Sequence, residues 1–221
     1  PISAKSGAGT GDLLDLAFQK LNAPEGTIER ARDIKIALIG KPNVGKSSLL
    51  NKIIGEERAI VSPVAHTTRD SQDVTVKHET AAGEMLLTFI DTAGIIKKRK
   101  INDALKEQSI EQSLASLKKS DIALLIIDAS EPITVQDKNL AREILENNKS
   151  IIFAVNKWDT IPEKDEYSDK DFTMNIFRNF PYLTWAPIVF VSAKTGSKVD
   201  RLVTMIETVN ENQKKYISEA E

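Results

Sequence analysis

Ile34-Lys-Ile-Ala-Leu-Ile39-Gly40-Lys-Pro-Asn-Val-Gly-Lys-Ser47 is the stretch whose reading decides the fold. Its first six residues are apolar except for Lys35, which suits a strand covered by helices on both faces. The next eight match G-x-x-x-x-G-K-[ST], and Lys46–Ile54 carries apolar residues at helical spacing. A strand, a glycine-containing loop and a helix start, in that order, suit a phosphate group. Glycine lets successive main-chain N–H groups turn inward, and the helix start adds the positive end of its dipole. Lys46 has the reach to bridge terminal phosphates, and the Ser47 hydroxyl is a hard oxygen donor for magnesium. Gly40, Lys41, Pro42, Asn43, Val44, Gly45, Lys46, Ser47 and Ser48 are therefore candidate phosphate contacts. A glycine-rich turn without a ligand is the competing reading, and the motifs further along disfavour it.

From this stretch outward, short β-rich runs alternate with helical patterns. Ile34–Ile39, Val74–Glu79, Met85–Ile90, Ile122–Ile127, Ile151–Val155 and Pro187–Val191 read as strands. Lys46–Ile54 and the stretches near 103–118, 136–147 and 198–212 read as helices. Thr134-Val-Gln-Asp137 has the form of a capping box opening the third helix. Strand and helix in alternation imply a parallel sheet with right-handed crossovers. Val74–Glu79 and Met85–Ile90 are joined by Thr80–Glu84, too short for a helix, so they form an antiparallel hairpin. The expected fold class is α/β, a P-loop NTPase three-layer sandwich. Its six-stranded, mostly parallel sheet carries one antiparallel edge strand.

Composition limits the partners. The 221 residues carry a net charge of −2, so nothing pulls the whole surface toward nucleic acid and DNA is not an expected partner. With no cysteine and two histidines, neither a disulfide framework nor a thiolate or histidine metal centre is expected. No apolar run approaches membrane-spanning length, so no membrane partner is expected either. The chain opens on Pro1 rather than methionine, which reads as a stretch of a longer protein.

Three further motifs point to the ligand. Asp91-Thr92-Ala93-Gly94 closes a strand. Asp91 can hold magnesium through its water shell, and the Gly94 amide can approach a terminal phosphate with no side chain in the way. Asn156-Lys157-Trp158-Asp159 follows the strand Ile151–Val155, at the sheet edge where ligands of open α/β folds collect. A carboxylate there accepts two hydrogen bonds from guanine, whereas adenine leaves it unpaired, a mismatch worth roughly 10⁴-fold. Ser192-Ala193-Lys194 follows the final strand and can offer a main-chain N–H to the guanine carbonyl. An ATP-dependent P-loop kinase is disfavoured by the Asn156–Asp159 motif.

Other features read two ways. Ile95 occupies the position after the sensor glycine, where many GTPases place a water-orienting glutamine, so either hydrolysis is slow or another agent supplies order and charge. Ser62–Asp70 contains Thr67 and Thr68, a solvated loop on the sequence alone. Lys97-Lys-Arg-Lys100 reads as a solvated charge run before it reads as an RNA contact. Trp158 and Trp185 read as packing residues. Asp12–Leu21 has an apolar helical stripe, equally an N-terminal helix of this domain or part of another, and Asn22–Asp33 reads as a linker.

The motifs together closely resemble the Der (EngA) family, bacterial GTPases with two tandem G domains and a C-terminal KH-like domain. The resemblance covers about residues 34–212, and Ser3-Ala4-Lys5 through Asp15 is similar to the end of a preceding G domain. It implies residues 1–21 as the remnant of a first G domain, 22–33 as a linker, 34–214 as a G domain and 215–221 as a tail leading to a KH-like domain. It further implies a cytoplasmic GTP-hydrolysing switch acting in maturation of the large ribosomal subunit, with GTP or GDP as ligand and ribosomal RNA as a partner. The preceding G domain and the KH-like domain are the partners implied in cis. Thr68 would be a magnesium ligand with Ser47 and Asp91, and Asn43 a potassium ligand. Lys46, Thr68, Gly94 and Asn43 are thus the catalytic set that the resemblance implies. His66 stands where the family usually has glycine, and a Cβ there restricts how the loop folds over a nucleotide. The alternative reading is a nucleotide-binding docking module with negligible hydrolysis, motivated by Ile95 and His66.

Overall fold

The structure is a computed structural model, and it describes residues 32–56, 73–80, 83–92, 115–162, 165, 168–213 and 215. The strands are β1 (Arg32–Ile39), β2 (Val74–Thr80), β3 (Gly83–Phe89), β4 (Ile122–Asp128), β5 (Ser150–Asn156) and β6 (Ile188–Phe190). The helices are α1 (Lys46–Glu56), α2 (Val135–Glu146), α3 (Ser168–Asn179) and α4 (Val199–Gln213). Residues 115–119 are also helical, and Trp158–Thr160 form one 3-10 turn.

One six-stranded sheet in the order β2-β3-β1-β4-β5-β6 organises these elements. The pairs β1–β4, β4–β5 and β5–β6 are parallel, while the edge strand β2 runs antiparallel to β3, with Val74 opposite Phe89 and Thr80 opposite Gly83. The expected α/β sheet with an antiparallel edge is therefore the observed one.

Strand alternation divides the core into two layers. Ile36, Leu38, Leu124 and Ile126 face one side, where they meet Leu49, Leu50 and Ile53 of α1 and Leu202, Val203 and Ile206 of α4. Ala37, Ile39, Leu125 and Ile127 face the other, against Leu140, Ala141 and Ile144 of α2 and Ile176 of α3. Every residue of β4 is buried, which explains why Ile122–Ile127 shows no polar alternation in sequence. Burying each such Leu or Ile is worth about 1.5–3 kcal/mol, so the sheet centre is the rigid base on which the loops at its carboxyl end stand.

Several boundaries differ from expectation. β1 begins at Arg32 rather than Ile34, and Asp33, assigned to a linker, accepts a hydrogen bond from Thr88 Oγ1 at 2.7 Å. The helix α3 is absent from the sequence reading. Phe172 and Ile176 of this helix and Phe180 just past its end recur at i and i+4, but the segment is dominated by charge and amide groups. The expected helix near 103–118 lies mostly outside the described residues. Trp185 is 62% exposed and does not pack as expected; its indole N–H donates to the Tyr182 carbonyl at 3.1 Å while Leu183 and Ala186 take the buried positions of that turn.

Candidate functional site

The loop between β1 and α1 wraps around its own lysine. Lys46 Nζ donates to the carbonyls of Gly40 and Lys41, each at 2.6 Å. Asn43 is exposed, with a left-handed φ of 66° that asparagine tolerates. Gly45 has φ 96°, and a Cβ on it would stand 2.2 Å from Asn156 Nδ2. Glycine is therefore required there both by backbone conformation and by a neighbour. The Lys41 side chain turns out of the loop to Asp137 at the start of α2, Nζ to Oδ2 3.0 Å.

Asn156, at the carboxyl end of β5, ties the motifs together. Its Nδ2 donates to the Val44 carbonyl at 2.8 Å, and its Oδ1 accepts the Ala193 N–H at 2.9 Å. A buried amide satisfied at both ends fixes the phosphate loop against the Ser192–Lys194 segment. Ser192 in turn donates from Oγ to Asp159 Oδ1 at 2.6 Å, which orients that carboxylate. Trp158 is buried under this corner, its ring 4.4 Å from Phe190 and edge-on to Phe172 of α3 at 5.4 Å. The packing role expected of Trp158 is what the structure has, and α3 supplies part of it. A second tie runs from α3 to the base loop, Lys198 Nζ to Asp169 Oδ2 at 3.2 Å.

Gly45 of the phosphate-loop motif and the adjoining Ser48, Asn156, Lys157 and Asp159 of the Asn156–Asp159 motif, and Ala193 and Lys194 of the Ser192–Lys194 motif line one cavity of about 360 Å³. That is the size range of small-molecule sites. Residues far apart in sequence converge there because β1, β5 and β6 all point the same way and end on the same side of the sheet.

Two acidic residues were missed by sequence reasoning. Asp128 closes β4 and is buried, 2% exposed. Its Oδ2 lies 2.5 Å from Lys157 Nζ, and its Oδ1 accepts from the Ser130 N–H at 2.9 Å and Ser130 Oγ at 2.6 Å. Burial alone would raise its pKa, but the hydrogen bonds from Lys157 and Ser130 together outweigh it and hold the carboxyl below the ordinary aspartate value. Lys157 itself has a left-handed φ of 60°, with its carbonyl bonded by the Thr160 N–H and hydroxyl. The available signal was an acid ending an otherwise apolar strand at the ligand-binding edge.

A pH dependence follows from the lowered value. A carboxyl ionised more readily when folded stabilises the fold above its unfolded pKa, and that contribution is lost as pH falls through the folded value. The stability gap between wild type and Asp128→Asn is therefore expected to be constant near neutrality and to close in acid below the ordinary carboxylate range. Denaturant midpoints of both proteins across that range test it; a gap unchanged in acid contradicts the assignment.

The second missed acid is Asp73, just before β2. Its Oδ1 accepts the Asp91 N–H at 2.8 Å, and Asp91 sits in a left-handed conformation with φ 52°. Burial, then the neighbouring Asp73 charge, push the Asp91 carboxyl above its ordinary value, against a smaller opposing pull from Lys119. A carboxylate raised in this way gains from a cation, and carboxylate and hydroxyl oxygens such as Asp91 and Ser47 are the donor type magnesium takes. Thr92 is buried beside it. Thr68, Ala93, Gly94 and Ile95, together with His66 and Lys97–Lys100, lie outside the described residues.

A phosphate loop between the first strand and helix of a mostly parallel sheet, with a side-chain cluster on the same rim, defines a P-loop nucleotide-binding fold. A family model described as 50S ribosome-binding GTPase matches residues 35–157, and the chain belongs to that family. Among curated proteins it is similar to GTPase Der of Rippkaea orientalis, 40% identical over 100% of this chain and 47% of that protein. GTPase Der of Alkaliphilus oremlandii is 46% identical over 95% of this chain and 46% of its own length. The chain thus spans about half the length of the curated relatives it matches. Among solved structures, Aquifex aeolicus Era bound to GDP.AlF4- is 32% identical with a TM-score of 0.59, covering 80% of this chain and 56% of that one. Elongation factor SelB of Methanococcus maripaludis with the GTP analogue GPPNHP, 22% identical over 85% of this chain and 35% of that one, has a TM-score of 0.60 and shares the fold.

Proposed function

We propose that the chain binds guanine nucleotide in the 360 Å³ cavity and hydrolyses GTP as a switch. The observation that carries this reading is that one cavity is lined by Gly45 and Ser48 at the phosphate loop, by Asp159 and by Ala193 and Lys194. Asp159 reads the guanine edge, held in orientation by Ser192. Lys157 keeps its ammonium on Asp128, so its stem is stretched along the cavity wall. Lys46, placed by the Gly40 and Lys41 carbonyls, donates from there to phosphate oxygens as well. Main-chain N–H groups of Val44 to Ser48 and the start of α1 then stabilise charge developing on the phosphate as water attacks.

Ser47 and Asp91, with Thr68, would hold magnesium, which when bound neutralises charge on the terminal phosphates. Ile95 has no group to orient water, so the missing order and charge are assigned to a potassium ion at Asn43, with the Gly94 amide as phosphate sensor. The similarity to the curated GTPase Der proteins supports a role in large ribosomal subunit biogenesis, with ribosomal RNA as partner in the bacterial cytoplasm. It also supports reading residues 1–21 as the end of a preceding G domain, 22–33 as a linker, 34–214 as the G domain and 215–221 as a lead into a KH-like domain.

Turnover separates the parts of this proposal. GTP hydrolysis with magnesium is expected, and faster in potassium than in sodium. Equal rates in the two salts remove potassium and Asn43 from the mechanism. No turnover in potassium with GDP affinity intact removes hydrolysis and leaves a binding module.

A further inference from the structure

We propose that Asp137 is a positioning residue for the phosphate loop, acting through Lys41. Lys41 is the second residue of the loop and is 9% exposed, so its ammonium needs a counter-charge. Asp137 is fully buried in the first turn of α2. Its Oδ2 receives Lys41 Nζ at 3.0 Å, the Thr134 N–H at 2.8 Å and the Thr134 hydroxyl at 2.8 Å. Glu131 adds a second, exposed carboxylate 3.7 Å from the same ammonium.

A helix cap alone does not require this arrangement. Capping-box acids work at exposed positions, whereas burying a carboxylate whose Oδ1 has no hydrogen-bond partner among the described residues is costly. The charge is matched to Lys41. The helix that carries it is itself docked on the sheet through Leu140, Ala141 and Ile144, so the anchor is rigid.

The consequence falls on Lys46. Its ammonium donates to the carbonyls of Gly40 and Lys41, so where those carbonyls stand sets where the phosphate-gripping lysine stands. On one side the Gly40 backbone is packed so closely on β4 that a Cβ would lie 2.7 Å from the Ile126 carbonyl. On the other, the Lys41 side chain pins the loop to α2. Asp137 thus reaches the nucleotide only through the shape of the loop, which governs how long phosphates are retained.

This inference rests on the guanine-nucleotide reading, and the test separates the two. GDP release is followed from the full chain as wild type, Asp137→Asn, Glu131→Gln and the apolar pair Lys41→Met with Asp137→Leu, which removes the ion pair without stranding a charge. Asp137→Asn and the apolar pair are expected to release GDP at least about tenfold faster, with the preference for GDP over ADP unchanged. Glu131→Gln, which removes only the exposed carboxylate and leaves the buried Lys41–Asp137 pair, is expected to retain slow release. If Asp137→Asn does not fold, the apolar pair decides. A folded apolar pair that releases GDP at the wild-type rate overturns the proposal, as does a lowered Tm in both variants with release unaltered. Wild type that binds no GDP overturns the nucleotide reading itself.

Discussion

Gly45→Ala is expected to lose GDP affinity by roughly 100-fold or more while the sheet remains folded. Two independent effects add at this position. The φ of 96° is one that residues with a Cβ rarely adopt, and holding alanine there costs about 1–3 kcal/mol. The new methyl would also stand 2.2 Å from Asn156 Nδ2. Asn156 cannot swing aside cheaply, because it is short, 1% exposed and bonded at both ends to Val44 and Ala193. Moving it strands buried polar groups, at about 1–3 kcal/mol each. A combined cost of roughly 3 kcal/mol corresponds to two decades of affinity. Titration with GDP, alongside a thermal melt to verify folding, measures it. Affinity within threefold of wild type would show that the loop and Asn156 are not coupled as described.

Asp159→Asn is expected to change which base is bound rather than whether the chain folds. A carboxylate acceptor suits the two adjacent donors of guanine. An amide replaces one acceptor with a donor and so suits xanthine, which carries a carbonyl where guanine has its amine. Selectivity for guanine is expected to fall by roughly 10³-fold or more, with xanthosine diphosphate becoming the preferred ligand. The variant keeps a side-chain oxygen for Ser192 to donate to, as Ser192 Oγ does now at 2.6 Å, so the local geometry survives the change. Competition between GDP and xanthosine diphosphate for the variant reads the result; unchanged preference for GDP would remove Asp159 from base reading.

What could be read from the sequence divides along physical lines. The β1–loop–α1 unit was legible because it combines an apolar run with glycines that the backbone requires, as Gly45 illustrates. The capping-box acid was legible in Thr134–Asp137, since the Thr134 amide does donate to Asp137. Its second use, as the counter-charge for Lys41, was not, because the partner lies nearly a hundred positions away and no local pattern encodes it. Asp128 was hidden for the same reason: its partner Lys157 is brought alongside only by the β4–β5 pairing that sets Asp128 opposite Asn156. The helix α3 escaped because its buried face is narrow. Among its residues Ile176 alone is fully enclosed, and the surrounding charges mask the periodicity. Trp185 was misjudged because aromatic character predicts burial only on average, and here the turn assigns the interior to Leu183 and Ala186.

The most direct test is a calorimetric titration of the folded chain with GDP and, separately, with ADP, magnesium present in both. Saturable one-to-one binding of GDP and little or no heat from ADP is the result expected if Asp159, Asn156 and the 40–48 loop form one pocket. A folded chain that takes up neither nucleotide, or that takes up both equally, would contradict it.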